Sequence, residues 1–218
     1  MKIYRYFSVL LPLLMGVCFV AAQERVISEA DYIAYRNKAS LVFQSTPYRE
    51  KRTVEARETA DSPWAPYSYT TTEYIKPDRW HTWHTMTALG DRDPKSEVIR
   101  IGNTTYSKIP GGSWRIDGYR EGTTRSKGDT QKAIIEYKNL DSEIISGQRT
   151  TVLQKISISQ LNVDGANVEV TLTEKDWFNE QGRILRMEFV TPNEPKKSFR
   201  TTMLYEYVPT IKIEAPIR

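Results

Sequence analysis

The chain has 218 residues, 31 of them lysine or arginine and 27 aspartate or glutamate, for a formal charge of +4. Basic residues such as Lys196-Lys197 and those between Arg49 and Arg52 are scattered among acids, so the clustered stripe that tracks a phosphate backbone is missing and nucleic acid is excluded as a partner. The one cysteine, Cys18, rules out a disulfide scaffold.

Lys2 and Arg5 precede an apolar run from Phe7 to Val20, and Val20-Ala21-Ala22 places small residues where a signal peptidase cuts. The expectation is a signal peptide over 1–22, cleaved before Gln23, and a periplasmic or secreted mature chain. The run is shorter than the span of about 20 residues that crosses a bilayer. Cys18 falls inside the signal, and Val17 stands where a lipoprotein signal wants a small residue, so the mature protein is expected to carry no lipid anchor and no thiol. About 195 residues then remain, which suits one domain over 23–218 with a real core. That domain is expected to be a monomer.

Ser28, with Asp31 three residues on, caps a helix that Thr46-Pro47 stops. Ile27, Ala30, Ile33, Ala34, Leu41 and Val42 fall near helical spacing and predict one apolar face that packs on a sheet. From Tyr48 onward the pattern is β. Tyr48 to Glu58 is a polar strand, Ser62 to Pro66 a loop, and Tyr67 to Ile75 begins a meander that turns at Lys76-Pro77-Asp78 and again at Gly102-Asn103. Gly118 to Gly128 is charged and glycine-containing, and reads as a loop that can act as a lid. Ser146-Gly147-Gln148, Asp164-Gly165 and Asn179 to Gly182 then separate further strands, the last running from Phe199 to Val208.

Side-chain alternation decides what kind of sheet this is. Val168, Val170 and Leu172 alternate with Glu169, Thr171 and Thr173, and Ile156 and Ile158 alternate with polar neighbours, so each strand has one apolar face. One helix cannot cover about ten strands, so the sheet must curl into an open or closed barrel. The fold class is therefore α+β, mainly β. A strongly curved antiparallel sheet forms an incomplete barrel, with an N-terminal helix and short covering helix or loops.

In order along the chain, the helix, the polar strand, Glu73-Tyr-Ile-Lys-Pro-Asp-Arg79, Glu97-Val-Ile-Arg-Ile-Gly102, Thr105-Tyr106, Gly112-Ser-Trp114 and Trp177-Phe-Asn-Glu-Gln-Gly-Arg-Ile184 resemble the lipoprotein-carrier (LolA/LolB-like) superfamily. The likeness runs from about Ser28 to Pro216. It implies a folded-palm barrel whose apolar cavity takes acyl chains. In such carriers an arginine on an early strand holds the lid closed; Arg49, Arg52 and Arg57 are available here, and no local motif selects one.

The expected ligand is thus a lipid or lipoprotein acyl chain, held by apolar burial of about 0.8 kcal/mol per CH₂. The expected lining comes from apolar strand positions: Ile99, Ile101, Ile156, Ile158, Val168, Val170, Leu172, Leu185, Met187, Phe189, Met203 and Tyr205. No cofactor, metal or catalytic group is expected. His81 and His84 are three apart on a strand and point to opposite faces, and Ser113 lacks a nucleophile-elbow context. Asp176, Glu174 and Glu188 have no spacing that marks an acid–base pair, and the five tryptophans are expected to pack. The alternative is an envelope sensor, in which the same fold regulates a protein partner.

Overall fold

The structure, a computed structural model, describes residues 24–86, 96–117, 132–163, 166–191 and 197–217. The signal at 1–22, the Gly118–Gly128 lid segment and the Asp164-Gly165 turn lie outside these residues.

Among the described residues there is one helix, α1 (Glu29–Ser45), and twelve strands. They are β1 (Arg25–Val26), β2 (Tyr48–Arg57), β3 (Ala65–Ile75), β4 (Arg79–Met86), β5 (Ser96–Ile101), β6 (Thr104–Lys108) and β7 (Arg115–Asp117). After these come β8 (Lys132–Ile145), β9 (Gln148–Val163), β10 (Ala166–Asn179), β11 (Ile184–Thr191) and β12 (Ser198–Tyr207). They form one sheet in the order β1-β8-β9-β10-β11-β12-β2-β3-β4-β5-β6-β7. Two meanders, β2 to β7 and β8 to β12, are joined where β12 pairs with β2 from Ser198↔Arg57 to Tyr207↔Tyr48. The edges β1 and β7 do not meet, so the curved sheet stays open.

The turns follow from their residues. Gly102, at φ 57°, joins β5 to β6, and Ser146 and Gly147, at φ 50° and 76°, make a two-residue connection between β8 and β9. Positive φ at both positions gives the backbone twist that matches paired strands. The Lys76-Pro77 bond in the β3–β4 corner is cis.

Ser28 caps α1 by accepting the Asp31 amide at 3.1 Å, and Glu29 and Asp31 in the first turn complement the helix dipole. At the other end the Thr46 amide donates to Val42 O at 3.0 Å before Pro47 ends the helix.

The face that α1 buries differs from the expected one. Tyr32 and Ala39 are the buried positions and Phe43 packs beside them, whereas Ile33 is 44% exposed and Leu41 67% exposed. The seam is Tyr32, Arg36, Ala39 and Phe43, at helical spacings of four, three and four. An arginine in the middle of that stripe breaks its apolar periodicity; of the expected face, Ala30, Ile33, Ala34 and Leu41 are exposed, Val42 is half-buried, and Ile27, ahead of the helix, packs against the core.

Contacts along the seam give the direction of α1. Tyr32 meets Tyr137 on β8 at 4.9 Å, Arg36 reaches Asp176 on β10, and Phe43 meets Tyr205 on β12 at 5.2 Å and Tyr48 on β2 at 4.8 Å. The helix therefore crosses the strands. Its 17 residues span about 25 Å, and six strands at their usual separation span about 24 Å, so α1 covers the concave face from β8 to β2 and stops there.

Candidate functional site

Residues paired between neighbouring strands share a face, so the register sorts every side chain as concave or outer. Asp176↔Met187 and Met187↔Met203 put these three on one face, and Tyr205↔Glu50, Phe189↔Thr201 and Asp176↔Leu153 extend it. This is the concave face under α1, where Tyr137, Leu153, Phe178, Ile184, Met187 and Met203 are buried with Tyr32 and Ala39. Phe189 and Tyr205 pack against that group.

The expected lining residues divide between the faces. Met187, Met203, Phe189 and Tyr205 come together beneath α1. Val170 and Leu172 alternate with Asp176 and share its face farther along β10, opposite Ser159 and Ser157. Ile156 and Ile158 pair with Thr173 and Thr171 and so point outward, as do Ile99 and Ile101, which pair with His81 and Arg79. Leu185 is buried beside the register shift between β10 and β11, outside the group under α1. The Val168 side chain lies outside the described part of the structure.

At the centre of the helix contact sits a polar cluster. Asp176 is 0% exposed; its Oδ2 accepts from Tyr32 Oη at 2.9 Å and from Arg36 Nη1 at 3.0 Å, and its Oδ1 accepts from Arg36 Nη1 at 3.1 Å. Glu174, one strand repeat away on the same face, lies 3.3 Å from Arg36 Nη1 and 3.5 Å from Lys155 Nζ. Burial pushes the Asp176 carboxyl up to about 6; Arg36 opposes that shift, Glu174 adds to it, and the Tyr32 hydrogen bond opposes it. Burial likewise raises the Tyr32 phenol, with help from Asp176 and Glu174. For Arg36 burial works against the charge, but Asp176, Tyr32 and Glu174 outweigh it and keep the guanidinium above its ordinary value. An ionised carboxylate sealed beneath a helix is expensive to desolvate, and the ion pair only partly repays it.

None of Arg49, Arg52 and Arg57 bonds to α1 among the described residues. Arg49 binds Glu73 and Glu206 on the outer face, Arg52 binds Glu50 at 2.7 Å, and Arg57 donates to Ala60 O and lies over Trp64. The arginine that ties helix to sheet belongs to the helix itself. The sequence signal for its strand partner is only relative: alternation puts Glu174 and Asp176 on the same face as Val170 and Leu172, and the pairing with β9 and β11 turns that face inward.

The remaining candidates fall away from this centre. His81 faces outward, 3.3 Å from Glu97 and packed at a tilt against Trp83 with ring centres 3.7 Å apart, and burial lowers its pKa against the pull of Glu97. His84 faces inward and bonds Thr70 at 2.8 Å. Glu188 binds Arg186 at 2.7 Å on the outer face. Among the described residues no three His, Cys, Asp or Glu side chains gather as a metal site, and no helix is long and apolar enough to cross a membrane.

Cavities flank α1. One of about 430 Å³ lies at its start, between Ile27, Ser28, Tyr35, Asn139 and Leu153, and one of about 270 Å³ lies beyond its end, lined by Arg52, Thr70, Thr72, Tyr74, Trp80 and Thr82. A third, of about 550 Å³, sits among polar residues including Asp141, Ser142, Arg149 and Glu180. The apolar floor between the first two is filled by the α1 seam.

No family model and no curated protein matches the chain. Among solved structures it is similar to a LolA superfamily protein from Nitrosomonas europaea, at 9% identity over 84% of this chain and 94% of that one, with a TM-score of 0.36. It is also similar to a domain assigned as an outer membrane lipoprotein-sorting protein from Vibrio parahaemolyticus, at 7% identity over 83% and 92%, with a TM-score of 0.33. A DUF1329 family protein from Desulfovibrio piger gives 10% identity over 84% and 94%, with a TM-score of 0.31. At these values the likeness assigns no ligand and no residue role to this chain.

Proposed function

We propose that this protein is an exported carrier that acts without chemistry, holding a lipid or lipoprotein acyl chain on the concave face where α1 now lies. The supporting observation is the docking of α1. A narrow seam of Tyr32, Ala39 and Phe43 covers a floor of Leu153, Met187, Met203 and Tyr205, and the seam is interrupted by the buried Arg36–Asp176 pair.

A chain that replaces the helix gains about 0.8 kcal/mol for each CH₂ it buries, so several methylenes offset the loss of the aromatic seam. Methionine suits such a floor, since its unbranched thioether adapts to different occupants. Asp176 is compatible with it as well: burial raises its carboxyl against the pull of Arg36, so a helix that leaves with Arg36 removes that pull and shifts the carboxyl further toward the neutral acid beneath an apolar chain. Val170 and Leu172 would extend the floor along β10.

Native mass spectrometry of gently purified mature protein tests this reading. The expected result is added mass that organic extraction removes and that the extract returns as an acyl lipid. Bare protein that takes up no laurate contradicts it.

A second reading, an envelope sensor, draws on the outer side of α1, where Ile33 and Leu41 are exposed to a protein partner. Recovery of a membrane-anchored regulator from envelope extract, lost on Ile33→Ser with Leu41→Ser, would favour it.

A further inference from the structure

Asp176 is fully buried in the floor, and the cation that meets it, Arg36 with Nη1 3.0 Å from Oδ2, is carried by the helix and not by the sheet. The same Nη1 lies 3.9 Å from Met187 Sδ, and Tyr205 Oη lies 3.2 Å from that sulfur and 3.5 Å from Met203 Sδ. The guanidinium therefore stands at the head of a row of thioethers that runs across β11 and β12 toward β2.

The sheet has no charge in place to do the work of Arg36. On β10, Glu174 shares the face of Asp176, and on β9, Lys155 lies 3.5 Å from Glu174. Arg36 is the cation whose charge favours ionised Asp176, and Glu174 acts against it. The other neighbours are uncharged: Met187 on β11, Tyr205 on β12, and Tyr137 on β8, whose hydroxyl donates to Glu29 of α1 at 3.1 Å.

A ligand that takes the place of α1 removes Arg36, Tyr32 and Glu29 together. The floor then holds two carboxylates, Asp176 and Glu174, against the single ammonium of Lys155. A bare chain laid over that point must leave a carboxylate unpaired or bring a proton to it. A cation on the chain meets the charge directly, and a hydrogen bond to a charged partner outweighs one between neutral groups. An anionic head meets two like charges instead.

We infer that Asp176 is the headgroup site of the floor and that the preferred ligand is a cationic amphiphile, an apolar chain ending in one ammonium or guanidinium group placed where Arg36 Nη1 now lies. The inference rests on the carrier reading given above.

Three probes of equal chain length test it: decylamine, decanol and decanoate, titrated by calorimetry below micelle formation into delipidated protein at pH 8, where the amine is still an ammonium. The expected result is that decylammonium binds about tenfold more tightly than decanol, the worth of one charge-assisted hydrogen bond, and that decanoate binds most weakly. Decanol binding should also take up a proton, read as a heat that varies with the buffer, while decylammonium binding should not. Asp176→Asn lowers the affinity for decylammonium to that for decanol, whose continued binding reports an intact fold. Lys155→Met, which leaves Glu174 without its ammonium, widens the preference. Equal affinities for decylammonium and decanol in the wild type, or a preference that survives Asp176→Asn, overturn the headgroup site and leave the carrier reading standing. Binding of none of the three overturns both.

Discussion

Arg36 on α1 and Asp176 on β10 meet with Nη1 3.0 Å from Oδ2, the carboxylate fully buried and the guanidinium side chain about one-third exposed. The pair joins the middle of a helix to the middle of a concave face, and it is the least apolar point in an otherwise aromatic and aliphatic contact. Such an ion pair adds little net stability, because the carboxylate has left water entirely and the guanidinium in part.

Removal of one partner should be worse than removal of both. Arg36→Met leaves Asp176 buried without its cation and is expected to cost about 2 kcal/mol, somewhat less than for a fully sealed pair. Arg36→Met combined with Asp176→Leu should recover most of that loss. Urea unfolding of the two variants checks this, and a double variant less stable than the single one contradicts it.

The pH dependence follows from Asp176. Its folded pKa, about 6, lies above the ordinary 3.8, so the folded protein holds this proton more tightly than the unfolded chain does. The stability it contributes is complete below the unfolded value and is lost as pH rises through the folded one. Two units of difference correspond to about 3 kcal/mol. Stability should therefore fall between about pH 4 and about pH 7 by up to that amount from this group, and Asp176→Asn should flatten the curve there. Parallel curves for wild type and variant exclude Asp176 as the source.

If a chain and α1 compete for one floor, a weaker helix contact means stronger apparent binding. Phe43→Ala removes a ring that packs on Tyr48 and Tyr205 without altering the floor, and should cost about 1–2 kcal/mol of docking. The apparent affinity for laurate should then rise about five- to thirtyfold, since the open state is more populated. Calorimetric titration gives the number, and unchanged or weakened binding would mean that α1 does not compete.

Capping offers a separate handle on the same equilibrium. Ser28→Ala loses the bond to the Asp31 amide and should lower helix stability by about 1 kcal/mol. Amide hydrogen exchange over the first turns of α1 should quicken while β9 and β10 stay protected. Equal exchange in both proteins would mean the cap does not hold the helix start.

The bounds of α1 and the main turns were legible because each rests on a local cause: the Ser28 cap, Pro47, and positive φ at Gly102 and Gly147. The buried side of the helix was not, because Arg36 interrupts the stripe that Tyr32, Ala39 and Phe43 form, while solvent-facing Ile33 and Leu41 fit the periodic pattern better. The lining was legible only within a strand. Alternation groups Val170 with Leu172, and Ile156 with Ile158, but which pair faces inward depends on the register Ile158↔Thr171, a relation between strands that neither strand contains. The order in which β12 returns to β2 is likewise set by pairing residues far apart in the chain.

The central claim is that an acyl chain occupies the floor that α1 covers, and the methyl groups of Met187 and Met203 report on it directly. Delipidated protein carrying ¹³C-labelled methionine methyls should be titrated with a stearate bearing a nitroxide on its chain. The account predicts that both methyl signals broaden as the probe binds, while hydrogen exchange of the α1 amides speeds up. Sharp, unshifted Met187 and Met203 signals at saturating probe would contradict it.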